Sequence, residues 1–154
     1  MPPEGEPGYV GAMQLSISGA EEYSAAREAE GDTYSAILCR ALANMLAEAL
    51  AECTELRVSQ VWPVAEGVVS IRPACGYPSQ PDHAEKRIVF DLLDAPSRTG
   101  ASLTSSYMMQ PAASVCALIF HHPAARYFAV GRIGDDQCAD YESRTGHTLT
   151  PHHG

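Results

Sequence analysis

The sequence has few basic side chains and an excess of acidic ones. Among its 154 residues, 10 are Lys or Arg and 19 are Asp or Glu, which gives a net charge of −9. A chain this acidic does not suit the phosphate backbone of a nucleic acid or an anionic membrane surface, so we expect neither as a partner. The length suits a single domain with one hydrophobic core.

Several sequence patterns of catalytic or metal sites are also missing. The 5 cysteines are dispersed without a Cys-x₂-Cys pair, and no signal peptide precedes them, which predicts reduced thiols and a cytoplasmic protein. The histidines lack the spacing of metal ligands: His121 and His122 are adjacent and would point to opposite faces of a strand. We therefore expect no native metal site. The chain also lacks a nucleophile elbow and a glycine-rich phosphate loop.

No charged side chain stands between Arg98 and Arg126. Gln110, Pro111 and several Ser and Thr residues interrupt this stretch, so it predicts a buried turn and strand and not a membrane span. The continuous apolar run at residues 115–120 predicts a central strand.

The two ends of the chain differ from its middle. Residues 1–8 are rich in proline, glycine and glutamate and hold no core-forming side chain, so we expect a flexible N-terminus. For residues 147–154 we expect a loose tail, and we expect residues 9–146 to form one domain.

The order of predicted elements indicates the fold class. It alternates strands with helices without a βαβ rhythm, which favours an α+β domain with a mostly antiparallel sheet flanked by helices. The predicted strands are residues 9–17, 68–71, 115–120 and 127–133, the last returning as a hairpin partner of the third. The predicted helices are residues 20–30, a long helix from residue 33, residues 81–95 and residues 134–146.

The long helix carries the strongest periodic signal. Apolar residues recur at three- and four-residue spacing from Tyr34 to Leu50, which predicts a helix of about 20 residues and 30 Å. Asp32 or Thr33 can cap it. We expect the apolar stripe to face the core, with Glu48 at its flank.

The loop at residues 71–86 concentrates prolines, Gly76, Arg72, Tyr77 and His83. It has two interpretations. It is either an ordinary proline-rich connection between a strand and a helix, or a stiff ligand loop in which the guanidinium of Arg72 binds a carboxylate. Cys75 as a nucleophile near Arg72 is a further alternative.

The amino-acid sequence of this loop resembles that of a known family. The segment RPACGYPSQPDHAEK at residues 72–86 is similar to the signature of the activation domain of cobalamin-dependent methionine synthase. LTSSYMMQPAASV at residues 103–115, RYFAVGRI at residues 126–133 and DQCADY at residues 136–141 resemble further motifs of that family, in the same order. The resemblance extends from about residue 9 to residue 146. It implies the same class of fold, a twisted antiparallel sheet flanked by helices.

The resemblance also implies a function. The family's activation domain binds S-adenosylmethionine and supports the reductive methylation of cob(II)alamin held on a neighbouring module. The implied partners are the cobalamin-binding module of methionine synthase and a flavodoxin-like or diflavin reductase that supplies the electron. This chain would contact cobalamin only where the partner module holds it. Such a domain positions its ligand and needs no acid–base triad.

The family motifs assign roles to individual residues of this chain. Arg72 would pair with the carboxylate of S-adenosylmethionine, and Glu48 would face its ammonium group. Tyr77 and Tyr127 would place aromatic faces near the sulfonium, and the main chain of the loop would meet the adenine. The complete predicted binding set is Glu48, Arg72, Ala74, Gly76, Tyr77, Tyr127 and Phe128.

The chain departs from the family pattern in ways that keep other functions open. The family's segment before the position of Tyr9, with an aspartate for the ligand ammonium, is missing, and so is its C-terminal ending. We call residues 71–86 the signature loop. The connection before this loop is shorter than in the family, and Cys75 stands where the family usually has proline. The chain has no cobalamin, homocysteine or folate domain, so we do not expect it to make methionine alone.

Two alternative functions remain. The chain is either a structural or protein-interaction module without a ligand, or it has a site for another small carboxylate at Arg72. A homodimer would cover apolar surface left by the missing segments.

Overall fold

The computed structural model describes residues 9–62 and 70–148. The predicted flexible segment 1–8, residues 68–69 of a predicted strand, and residues 149–154 of the predicted tail lie outside these ranges. The first two residues of that tail are hydrogen-bonded: Arg87 Nη2 lies 2.8 Å from His147 Nε2, and the hydroxyl of Thr148 donates to Glu142 at 2.7 Å.

A three-stranded antiparallel sheet of β1 (Tyr9–Ser16), β2 (Ser70–Ile71) and β5 (Ser114–His121) forms the centre of the domain. Its order is β1-β5-β2, with β1 paired to β5 from Tyr9 opposite His121 to Ser16 opposite Ser114. The predicted central strand is therefore confirmed, because β5 has a neighbour on each edge. A separate small hairpin joins β3 (Ser102–Leu103) to β4 (Met109–Gln110).

Helices cover both faces of the sheet. Side chains alternate along β1 and β5, so one face buries Met13, Val115 and Ile119 against α2, and the other buries Cys116 against Phe90 of α3. This three-layer arrangement confirms the predicted α+β class. The helix bounds are Ala20–Ala29 (α1), Thr33–Val61 (α2), Lys86–Leu93 (α3), Ala95–Thr99 (α4) and Asp135–Thr145 (α5). None of the helices in the described ranges is long and apolar enough to cross a membrane.

The long helix α2 is longer than its periodic signal predicted. The carboxylate of Asp32 caps it by accepting from Ser35 N at 3.0 Å, and it has 29 residues. Residues 51–61 contain neither glycine nor proline, so nothing in them stops the helix. It ends at Val61, and Trp62 takes the extended conformation favoured before a proline, here Pro63.

The prediction that the large apolar stripe of α2 faces the core is wrong. The buried residues of α2 are small: Ala36, Ala43, Ala47 and Ala51. Their short side chains let the helix lie close to a sheet whose own side chains fill the space between them. The large side chains point outward and are between 43% and 77% exposed. We call them the outer face of α2, formed by Tyr34, Ile37, Leu38, Leu42, Met45, Leu46 and Leu50.

The predicted hairpin of residues 127–133 with β5 is also wrong. Both edges of β5 are already paired, by β1 and β2, so no edge remains for a returning strand. Residues 127–130 instead cross over the signature loop, where Val130 N donates to the carbonyl of Pro78 at 2.9 Å. This path brings Tyr127 and Phe128 beside the loop.

Candidate ligand-binding site

A cavity of about 610 Å³ lies where α2, the signature loop, β5 and residues 127–129 meet. Its volume is in the range of small-molecule sites. Residues 114–117 of β5 form one wall, and Met109 also lines the cavity. The residues of the predicted binding set that line it are Glu48, Arg72, Ala74, Tyr77, Tyr127 and Phe128.

Arg72 is the charged centre of this cavity. Its side chain is 16% exposed and lies between two carboxylates of α2, with Nη2 3.3 Å from Glu48 Oε2 and Nε 3.5 Å from Glu55 Oε2. Glu48 is 63% exposed, so solvent weakens its bond to Arg72. A guanidinium has five N–H donors, so Arg72 keeps capacity for a ligand carboxylate while it contacts both glutamates.

Glu55 was missed by the sequence interpretation. It stands seven residues after Glu48, which is two helical turns, so both carboxylates project from the same side of α2. This spacing is the signal that could have found it. The cluster of Arg72 with Glu48 and Glu55 thus has one excess negative charge, although only Arg72 and Glu48 of the three line the cavity.

Aromatic side chains also line the cavity. The hydroxyl of Tyr127 accepts a hydrogen bond from the backbone N–H of Arg72 at 2.7 Å, which ties residues 127–129 to the start of the loop. The rings of Tyr77 and Phe128 are 63% and 64% exposed. These rings are therefore accessible to a ligand in the cavity.

The main chain of the loop serves two different purposes. Ala74 pairs with Ala117 of β5 in an isolated antiparallel bridge, which places it in the cavity wall. Gly76 is not among the lining residues: it has φ +97° and its N–H donates to the carbonyl of Gln80 at 2.7 Å. Gly76 thus shapes the loop, and its contact with adenine stays a prediction.

The far end of the loop is held by α5. The hydroxyl of Tyr141 donates to Asp82 Oδ2 at 2.8 Å and to Glu85 Oε1 at 3.1 Å. Burial and the hydrogen bond to Asp82 raise the pKa of Tyr141, so its hydroxyl stays protonated and remains a donor. Asp82 also caps the following 3₁₀ turn through Ala84 N, whereas Glu85 accepts from Gln80, so the two carboxylates do not form a reciprocal capping box.

The Tyr127 bond leads to a prediction. Replacing Tyr127 by Phe removes the acceptor for Arg72 N–H and is expected to lower the free energy of unfolding by about 0.5–1.5 kcal/mol. Urea unfolding measures this loss. Tyr34→Phe, which changes an exposed ring of α2, is the matched control. Equal stability of the two variants would contradict the role given to the Tyr127 hydroxyl.

Among the residues that the structure describes, no group of three or more His, Cys, Asp or Glu side chains could hold a metal ion. Arg72, Glu48, Glu55 and the aromatic rings are groups of the kind that bind small zwitterionic molecules. The carboxylates suit a cationic group, and the guanidinium suits a carboxylate.

The chain matches known proteins along most of its length. The model of the family described as "Vitamin B12 dependent methionine synthase, activation domain" matches residues 1–146. A solved structure, described as the MetH reactivation domain bound to AdoHcy, is similar to 90% of this chain at 37% sequence identity with a TM-score of 0.84.

The structural match covers 47% of the solved chain, so this chain spans about half the length of that relative. The match confirms the fold class, and the family model confirms the resemblance of the sequence motifs. The chain therefore belongs to the family of activation domains of vitamin B12-dependent methionine synthase.

Proposed function

We propose that the cavity binds S-adenosylmethionine and that the chain is a reactivation module for cobalamin-dependent methionine synthase. The main support is the convergence of ligand-type residues on one cavity. Glu48, Arg72 and Tyr127 lie far apart in the sequence, yet all three line the same space. The solved relative that shares this fold was bound to AdoHcy.

The charges of the cavity complement those of S-adenosylmethionine. The ligand has a carboxylate, an ammonium and a sulfonium, and so a net positive charge. In the protein, Glu48 and Arg72 line the cavity, and Glu55 contacts Arg72 from outside the lining. In the proposed arrangement the ligand carboxylate binds Arg72 and its ammonium binds Glu48. The rings of Tyr77 and Tyr127 then lie near the sulfonium, which an aromatic face attracts.

The proposed role of these residues is to bind and orient the methyl donor. The methyl acceptor would be cobalamin on the cobalamin-binding module, and a flavodoxin-like or diflavin reductase would supply the electron. The chain itself would hold S-adenosylmethionine with its methyl group facing that partner, and would not make methionine alone. The partners and the action in trans are parts of the proposal.

Ligand-linked stability tests the proposal. A ligand present at 100 times its dissociation constant stabilises the folded state by about 2.7 kcal/mol. Urea unfolding with and without S-adenosylmethionine should therefore show a higher free energy of unfolding with the ligand. Adenosine and methionine, added together at the same concentration, are the control. Equal stability in all samples up to millimolar ligand would reject the binding proposal.

The outer face of α2 supports a second proposal, that this face binds a second copy of the chain. Two copies of this face are complementary when their α2 helices run antiparallel. If Leu42 of each copy lies on a two-fold axis, Leu38 packs opposite Leu46 and Tyr34 opposite Leu50. The matched region is about 24 Å long. Its apolar side chains are exposed in the single chain.

Charge on this face is expected to prevent the dimer. Leu42→Glu would place two buried carboxylates at the two-fold axis, so the variant should be monomeric by sedimentation equilibrium at concentrations where the unmodified chain is dimeric. Leu92→Glu is the matched control, because Leu92 is a 72% exposed leucine on α3. A monomeric unmodified chain would contradict the dimer, and the face would then be available to another protein.

A further inference from the structure

Two cysteines lie side by side beneath the ligand cavity. Ala74 pairs with Ala117 in an antiparallel bridge, and the next residues, Cys75 and Cys116, therefore lie opposite each other. Each thiol is the largest influence on the pKa of the other. Directly opposed residues of an antiparallel pair have Cα atoms about 4.5–5.5 Å apart. This spacing lies within the range of about 4.4–6.8 Å that a disulfide requires.

Both cysteines are protected from solvent. Cys75 is 3% exposed and Cys116 is 1% exposed, yet Cys116 is among the residues that line the cavity. A small neutral oxidant that enters the cavity would therefore meet its wall at Cys116, the residue opposite Cys75, whereas burial shields both thiols from the thiol of another protein. Cys39, Cys53 and Cys138 lie elsewhere and are less buried.

A buried lysine distinguishes this pair from two packed thiols. Lys86 is 4% exposed, and its ammonium donates to the carbonyl of Tyr107 at 3.2 Å and contacts His83 Nδ1. It also interacts electrostatically with both cysteines. The interaction with Cys116 lowers the pKa of Cys75, and the same interaction together with burial raises the pKa of Cys116. Cys75 is thus the more acidic thiol of the pair.

We propose that Cys75 and Cys116 are a redox-active dithiol that hydrogen peroxide converts reversibly into a disulfide. The Cys75 thiolate attacks the peroxide, its sulfur is oxidised to a sulfenic acid, and the O–O bond breaks to release hydroxide, which takes a proton from the Lys86 ammonium. The Cys116 thiol then attacks the Cys75 sulfur, the disulfide forms, and the sulfenic oxygen leaves as water. Two electrons pass from the sulfurs to the peroxide, and an added dithiol returns them.

The disulfide would join the signature loop to β5 at the wall of the cavity. Pro73 and Ala74, just before Cys75, line the cavity together with Cys116. This inference does not depend on S-adenosylmethionine binding, and its test requires no ligand.

Peptide mapping by mass spectrometry tests the proposal. The folded chain, and a variant with Cys39→Ser, Cys53→Ser and Cys138→Ser, are treated with hydrogen peroxide, and free thiols are then alkylated in denaturant. We expect each to lose two hydrogens, about 2 Da, and to give a linked peptide containing Cys75 and Cys116. Dithiothreitol should restore both thiols to alkylation.

Variants separate this pair from incidental oxidation. Cys75→Ser, checked for folding by circular dichroism, should form no disulfide, and Lys86→Met should form it more slowly. Peptide mapping of the unmodified chain remains a valid test of the disulfide even if a variant does not fold. Unreacted Cys75 and Cys116, or their conversion to sulfinic and sulfonic acids without a link, would overturn the proposal.

Discussion

Arg72→Ala is expected to weaken S-adenosylmethionine binding about 10- to 150-fold. A hydrogen bond to a charged group contributes about 1.5–3 kcal/mol, and each 1.4 kcal/mol is a factor of about ten in affinity. Arg72 is 16% exposed and is flanked by Glu48 and Glu55. Its removal therefore deletes the partner of the ligand carboxylate and also leaves two carboxylates without their cation. Both effects oppose the binding of a carboxylate.

Two further variants define what Arg72 does. Arg72→Lys should also lose affinity, because an ammonium lacks the planar fork that contacts a carboxylate with two donors. Arg144→Ala is the matched control, since Arg144 is 67% exposed on α5 and pairs with Asp140. If Arg72 only braces the loop through its glutamates, Arg72→Ala will lower the melting temperature without a ligand-specific effect. Binding and melting temperature measured on the same samples separate these outcomes.

Gly76→Ala is expected to cause the largest loss of stability among single-residue changes in the loop. Gly76 has φ +97°, a conformation that costs residues with a side chain about 1–3 kcal/mol. An added Cβ would also lie 2.1 Å from Cε1 of His83. The ring of His83 contacts the buried Lys86, so it cannot move away freely. The melting temperature should fall by about 2–4 °C for each kcal/mol lost.

A second glycine separates backbone strain from the clash. Gly31 has φ +83° and no atom within 4 Å of an added Cβ, so Gly31→Ala carries the strain alone. Gly76→Ala should be less stable than Gly31→Ala, and combining it with His83→Ala should recover part of the difference. Equal loss in the two single variants would show that the approach of His83 is unimportant.

Several residues that line the cavity could be selected from the sequence because they lie in continuous motifs. Arg72, Tyr77 and Tyr127 each lie within a segment that resembles the family, and their roles in binding stay predictions. The central strand β5 was predictable for a local reason as well, since a run of apolar residues bounded by turn residues is typical of a strand with two buried faces. These predictions needed no knowledge of how the elements pack.

The wrong predictions depended on packing between distant elements. The periodicity of α2 gives the spacing of its apolar residues but not which side meets the sheet, and here the alanines do. The hairpin at residues 127–133 was a reasonable local interpretation. It failed because β2, which is only two residues long, already occupies the second edge of β5. Glu55 was missed because its role depends on where Arg72 meets α2.

Isothermal titration calorimetry of the unmodified chain with S-adenosylmethionine tests the central claim most directly, namely that the cavity around Arg72 is a site for this ligand. We expect saturable binding of one ligand per chain. S-adenosylhomocysteine should bind more weakly, because its sulfur is a neutral thioether and not a sulfonium. Arg72→Ala should show the loss of affinity described above. The absence of any binding heat up to millimolar S-adenosylmethionine, at two temperatures to exclude a vanishing enthalpy, would contradict the claim. The chain would then be a structural or interaction module of the same fold.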